Sequence, residues 1–115
     1  MQATVNLSIE GSARTLPADT GLALYRGAQE ALTNVARYAP SAAIDIALRY
    51  EPDHTTLRVE DRSRLVTGSQ VREGLPGVGG GRGLAGLRER VERIGGSVYA
   101  GPTDEGWLVE VVIPT

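Results

Sequence analysis

The 115-residue chain has no cysteine, no phenylalanine and no lysine, and only one histidine. Without cysteine there is neither a disulfide framework nor a thiolate metal site, which agrees with a reducing compartment. The lone His54 cannot build a zinc site, so a metal would have to take oxygen ligands. All 12 basic residues are arginine, which removes the lysine that a Walker A phosphate loop requires. No apolar run approaches the ~20 residues of a membrane span, and residues 1–10 lack the charged-then-apolar layout of a signal peptide. The expected location is cytoplasmic, with no membrane contact by this chain. A net charge of -2 and a pI near 5.4 argue against a phosphate-backbone footprint, so nucleic acid is not an expected direct partner.

What is present is an ordinary globular composition, 41% hydrophobic and 23% charged, of a length that fits one domain over residues 1–115. Val5, Leu7 and Ile9 alternate with polar residues and predict a half-buried strand. Leu24, Ala28, Leu32 and Val35 recur at helical spacing from about Thr20 to Ala39, with Asp19 or Thr20 as the cap and Pro40 as the stop. Ile44–Tyr50 and the strand carrying Leu57 and Val59 predict a hairpin turning at Glu51–His54. A second helix has Leu84, Leu87, Val91 and Ile94 on one face and stops at Gly95-Gly96. Strands near Ser97–Ala100 and Trp107–Ile113 follow, and the last reads as central because both of its faces are apolar. Strand, helix, hairpin, loop, helix, hairpin is not a repeating βαβ order. It predicts an α+β, two-layer α/β sandwich with the helices on one face of a mixed, mostly antiparallel sheet.

Three places can carry chemistry. Glu30 and Asn34 lie four residues apart on the first helix, with Arg26 one turn before and Arg37 and Tyr38 one turn after, a stripe able to hold a hydrated magnesium ion and phosphates. By spacing alone an ordinary solvated face is the commoner meaning of such a stripe. Asp61 continues the parity of Leu57 and Val59, which points its carboxylate at the apolar side of the sheet, where it needs a donor such as a purine amino group. The alternative is a turn-forming aspartate at the end of a strand. Gly81-Arg82-Gly83-Leu84-Ala85-Gly86 has the spacing G-x-G-x-x-G and opens a helix whose free amides can receive a phosphate. A Rossmann site would need a strand directly before these glycines. Instead they follow the stretch Arg62–Gly80, without periodicity, and Gly68–Gly86 holds eight of the 15 glycines, which reads as a lid over residues 62–80. The remaining alternative is a glycine-rich hinge without a ligand. His54 reads as a solvated turn residue, Trp107 as core, and Tyr50 as either core or edge.

The stripe Tyr25–Ala39 strongly resembles the N box of sensor histidine kinases in the GHKL, or Bergerat-fold, ATPase family, and Gly81–Val91 resembles the G2 box of the subgroup that acts on helix-turn-helix response regulators. The resemblance extends from about Leu22 to Pro114 and implies the Bergerat fold with a glycine-rich lid. It implies ATP and Mg2+ as cofactors, with Asn34 ligating magnesium and Glu30 as the catalytic base or polarising carboxylate. Asp61 would bind the adenine amino group, Gly81, Gly83, Leu84 and Gly86 would border the triphosphate, and Arg37 would reach a phosphate. The implied partners are a histidine-bearing dimerisation domain and a response regulator. The implied activity is that of a protein-histidine kinase, not active alone without the phosphoacceptor.

Two departures stand out. Arg62-Ser63-Arg64-Leu65 replaces the glycine-containing turn usual after the aspartate, and Tyr38 stands where histidine is common. Two other functions stay open at this point. One is a degenerate family member that serves as a regulatory interaction module without nucleotide. The other is a serine kinase of the anti-sigma type.

Overall fold

The computed structural model describes residues 4–38, 43–62 and 80–115, with only the backbone of residues 38 and 80–83. The element order is β1 (Val5–Glu10), α1 (Ala18–Tyr38), β2 (Ala43–Tyr50), β3 (His54–Arg62), α2 (Gly80–Arg93), β4 (Ser97–Pro102) and β5 (Trp107–Pro114). The strands form one sheet in the order β1-β2-β3-β5-β4. Only β1 and β2 are parallel, joined by a crossover through α1, and every other pair is antiparallel. The fold is therefore the expected mixed, mostly antiparallel sheet. Both helices pack on one face, α1 against β3 and β5 and α2 against β4 and α1.

β5 is interior as its sequence predicts, with Val109, Val111 and Ile113 at 2% exposure or less on the helix side and Leu108 buried on the other. The alternating burial of β3 places Thr55, Leu57, Val59 and Asp61 beneath the helices. α2 closes with a paired C-terminal motif in which the amide of Gly96 donates to Val91 O at 2.9 Å and that of Gly95 to Glu92 O at 3.0 Å. Gly95 has φ 87°, a conformation open to glycine at little steric cost.

Three expectations need correction. α1 starts two residues earlier than its apolar pattern suggests, with Gly21 N donating to Pro17 O. Neither Asp19 nor Thr20 is the cap; Asp19 lies in the first turn, where a negative charge favours the helix dipole. The buried stripe of α1 is also rotated: Thr20, Ala23, Leu24, Ala31, Asn34 and Val35 are buried, while Ala28 and Leu32 are only partly covered. The reason is close packing through small residues. A Cβ on Gly27 would stand 3.1 Å from Val111 Cγ2 and 3.4 Å from Leu57 Cδ2, so the helix backbone lies directly on the sheet there. Finally, β1 is exposed rather than half-buried, with Val5, Leu7 and Ile9 at 53%, 66% and 60%. It is the outermost strand, and the two described helices pack over β3, β5 and β4.

Candidate nucleotide site

Connectivity brings the chemistry-bearing segments to one end of the sheet. In register across it, Ile44 pairs with Asp61, Asp61 with Trp107, and Trp107 with Pro102. α1 runs toward this row, because β2 opens at Ala43, beside Ile44, soon after α1 ends at Tyr38. α2 runs away from it, because Gly95-Gly96 delivers the chain to Ser97, at the far end of β4. The C-terminal half of α1, the end of β3 and the N-terminus of α2 therefore gather at one edge. Gly27 marks their packing, with Leu87 of α2 also within 3.8 Å of an added Cβ.

Asn34 is 3% exposed and faces inward, so this member of the α1 stripe is not solvated. Its Oδ1 is buried and has no hydrogen-bond partner among the described residues, an arrangement that costs about 1–3 kcal/mol unless a further group completes it. Glu30, one turn earlier, is partly covered, whereas Arg26 and Arg37 are exposed. Arg26 donates to Gln29 Oε1 at 2.9 Å and so stays on the helix surface. Asp61 is 1% exposed at the end of β3, as its parity predicts. A carboxylate held at that depth is retained when a hydrogen-bond donor meets it.

α2 includes the whole Gly81–Gly86 motif, so Gly81, Gly83 and Leu84 lie in its first turns, and that first turn carries no acidic residue. The first-turn amides of a helix have no partner within it, and together with the positive dipole end they suit an anion. Gly86 is exposed within the helix and an added Cβ would meet nothing within 4 Å. No neighbour in the described chain demands glycine there, although glycine inside a helix costs about 1 kcal/mol relative to alanine. The expected lid, residues 62–80, falls mostly outside the described residues; Arg62 ends β3 and Gly80 begins α2. The side chain of Tyr38 and residues 63–65 lie outside them too. Arg62 itself points to the face opposite Asp61, where its Nη1 donates to Asp45 Oδ2.

Sequence reasoning missed Gly27, whose role depends on what lies beneath it. A separate polar cleft of about 140 Å³ sits on the helix-free face, lined by Arg49, His54, Thr56, Arg58 and Glu110. Four of its charged or titratable side chains are paired: Arg58 with Glu110 at 3.4 Å, Arg49 with Glu10 at 3.2 Å, and His54 with Asp53 at 2.6 Å. It lies away from Asp61 in both face and end.

Comparison with known proteins agrees with this geometry. The chain is 28% identical over 108 residues to the sensor histidine kinase MctS of Rhizobium johnstonii, covering 94% of the chain and 23% of the relative. It is 30% identical over 112 residues to the sensor histidine kinase YxjM of Bacillus subtilis, covering 96% and 25%. It is 29% identical over 111 residues to the oxygen sensor histidine kinase NreB of Staphylococcus carnosus, covering 96% and 30%. The chain thus spans about a quarter of the length of these curated relatives. Among solved structures, the catalytic domain of histidine kinase ThkA matches with a TM-score of 0.67 at 16% identity, over 96% of this chain and 78% of that one. Acinetobacter baumannii histidine kinase AdeS matches with a TM-score of 0.71 at 13% identity, over 97% and 54%. At those identities the likeness shows the fold. The model of the histidine kinase-, DNA gyrase B- and HSP90-like ATPases matches residues 19–115, so the chain belongs to that ATPase family, as an ATP-binding catalytic domain of the kind found in sensor histidine kinases.

Proposed function

We propose that residues 1–115 form a single catalytic unit that binds ATP with Mg2+ and donates the γ-phosphoryl group to a histidine on a separate dimerisation domain, for onward transfer to a response regulator. The observation that carries this reading is the buried Oδ1 of Asn34, without a hydrogen-bond partner among the described residues, at the end of the sheet where Asp61 and the α2 N-terminus also lie. Mg2+ takes few protein ligands, keeps several waters and shares phosphate oxygens, which suits one amide oxygen well. When bound it neutralises phosphate charge, and Asn34 is the residue that would hold it.

The other roles follow from position. Asp61 accepts a hydrogen bond from the adenine amino group at the closed end of the site. The amides of Gly81, Gly83 and Leu84 face the phosphates, and Gly86 leaves open space beside them for nucleotide or lid. Arg37, exposed in the last turn of α1, is free to turn onto a phosphate. Glu30, at the rim, orients and polarises the incoming imidazole. As the phosphorus–imidazole bond forms, the bond to the β-phosphate oxygen breaks and ADP leaves. Catalysis is then mainly positioning and charge stabilisation. Residues 62–80 serve as the lid, and the unit works in the cytoplasm; among the described residues no helix is long and apolar enough to cross a membrane.

Against the degenerate reading, the first residue of the altered turn, Arg62, pairs with Asp45 on the face opposite Asp61. The test is base discrimination. Wild-type chain should bind ATP at least about tenfold tighter than inosine triphosphate, which lacks the amino group, a difference of ~1.4 kcal/mol. Asp61→Ala should lose that preference. Equal affinities in the wild-type chain would remove Asp61 from the site.

A further inference from the structure

An outermost strand presents an unused row of backbone N–H and C=O groups, and folded proteins ordinarily guard it with charge, proline, a bulge or very short length. β1 has none of these from Val5 to Ile9. It is six residues long, its register with β2 runs unbroken from Val5 to Glu10, and its one charge, Glu10, stands at the end and is engaged by Arg49. The opposite edge is different: β4 ends in Gly101-Pro102 and lies against α2. On the helix side β1 adds an apolar stripe, Val5, Leu7 and Ile9, each more than half exposed. The α1 surface holding Gly21, Leu22, Tyr25, Ala28, Gln29, Leu32 and Ala36 contains no charge, and charge depletion of this kind marks the centre of interfaces.

The strand is self-complementary. About a two-fold axis through Leu7, perpendicular to the sheet, antiparallel pairing sets Leu7 against Leu7 of a second copy, Val5 against Ile9, Asn6 against Ser8 and Thr4 against Glu10. Apolar residues then meet on the helix side and polar residues on the other, and no like charges oppose each other. A one-residue slip would set apolar against polar along the whole strand. We propose that β1 is a homodimerisation edge, through which two copies of this chain join their five-stranded sheets into one continuous sheet by an isologous contact. This contact is independent of the nucleotide reading.

The absence of cysteine makes the test direct. Residues facing each other across an antiparallel pair have Cα atoms about 4.5–5.5 Å apart, within reach of a disulfide. Under mild oxidation Leu7→Cys should form a covalent dimer at least about tenfold faster than Tyr99→Cys, which is comparably exposed at 51% on the other edge. In sedimentation equilibrium the unaltered chain should rise from 12.2 kDa toward twice that mass at tens to hundreds of micromolar. Leu7→Glu should stay monomeric with an unchanged circular dichroism spectrum, and Leu7→Thr, which keeps strand propensity, covers the case in which the glutamate variant misfolds. A wild-type chain monomeric throughout that range, a dimer that survives both substitutions, or equal cross-linking of the two cysteine variants would overturn the proposal.

Discussion

Asn34 carries a buried acceptor that no other described residue meets. An apolar side chain of similar shape removes an unmet buried acceptor, and such a replacement is neutral or stabilising when nothing else depends on the group. Asn34→Leu is therefore expected to keep or raise the thermal midpoint while abolishing the magnesium-dependent part of nucleotide affinity. Calorimetric unfolding together with nucleotide titration measures both; a large drop in midpoint with unchanged affinity would make the amide structural. His54 supplies a second residue-scale check. Its hydrogen bond, and then its charge, hold the exposed Asp53 carboxyl below the ordinary value. A depressed carboxyl stabilises the fold above its unfolded value and loses that contribution as pH falls through the folded one. In His54→Gln the Asp53 titration followed by NMR should move up toward the ordinary range of an aspartate carboxyl. Asp61 was legible in sequence because strand parity carries across Leu57 and Val59 without interruption. The burial of Asn34 was not, because its neighbours on the inward stripe are alanine and glycine, which a search for large apolar residues passes over.

Packing through small residues gives α1 its own test. A side chain on Gly27 would press on Val111, Leu57 and Leu87 together, and overpacking of this kind costs about 1–3 kcal/mol. Gly27→Val is predicted to lower the urea midpoint by that amount without changing the slope; an unaffected midpoint would mean that α1 does not rest on the sheet at this point. Of the elements, the hairpin, β5 and α2 followed from alternation and from the glycine stop, since local pattern and tertiary place agree there. β1 did not, because its alternation is real while the two described helices pack over β3, β5 and β4, and that depends on where those helices fall across five strands. The α1 start was also shifted, because Pro17 supplies the first carbonyl where an aspartate or threonine cap was expected.

Across the whole molecule, function depends on three segments distant in sequence ending at one edge. α1 points its C-terminal half there, β3 ends there with Asp61, and α2 starts there. That convergence follows from strand order and helix direction, so motif spacing suggested the participants and topology brought them to one edge. Ligand binding to such a site stabilises the folded chain by linkage, about 2.7 kcal/mol at a hundredfold excess over Kd. ATP with magnesium should accordingly raise the thermal midpoint of the wild-type chain and leave that of Asp61→Ala unmoved. The most direct measurement is calorimetric titration of the 115-residue chain with a non-hydrolysable ATP analogue, with and without magnesium. Saturable binding that strengthens with magnesium and disappears in Asp61→Ala is the predicted result. No binding up to millimolar nucleotide, or binding indifferent to both magnesium and Asp61, would contradict it.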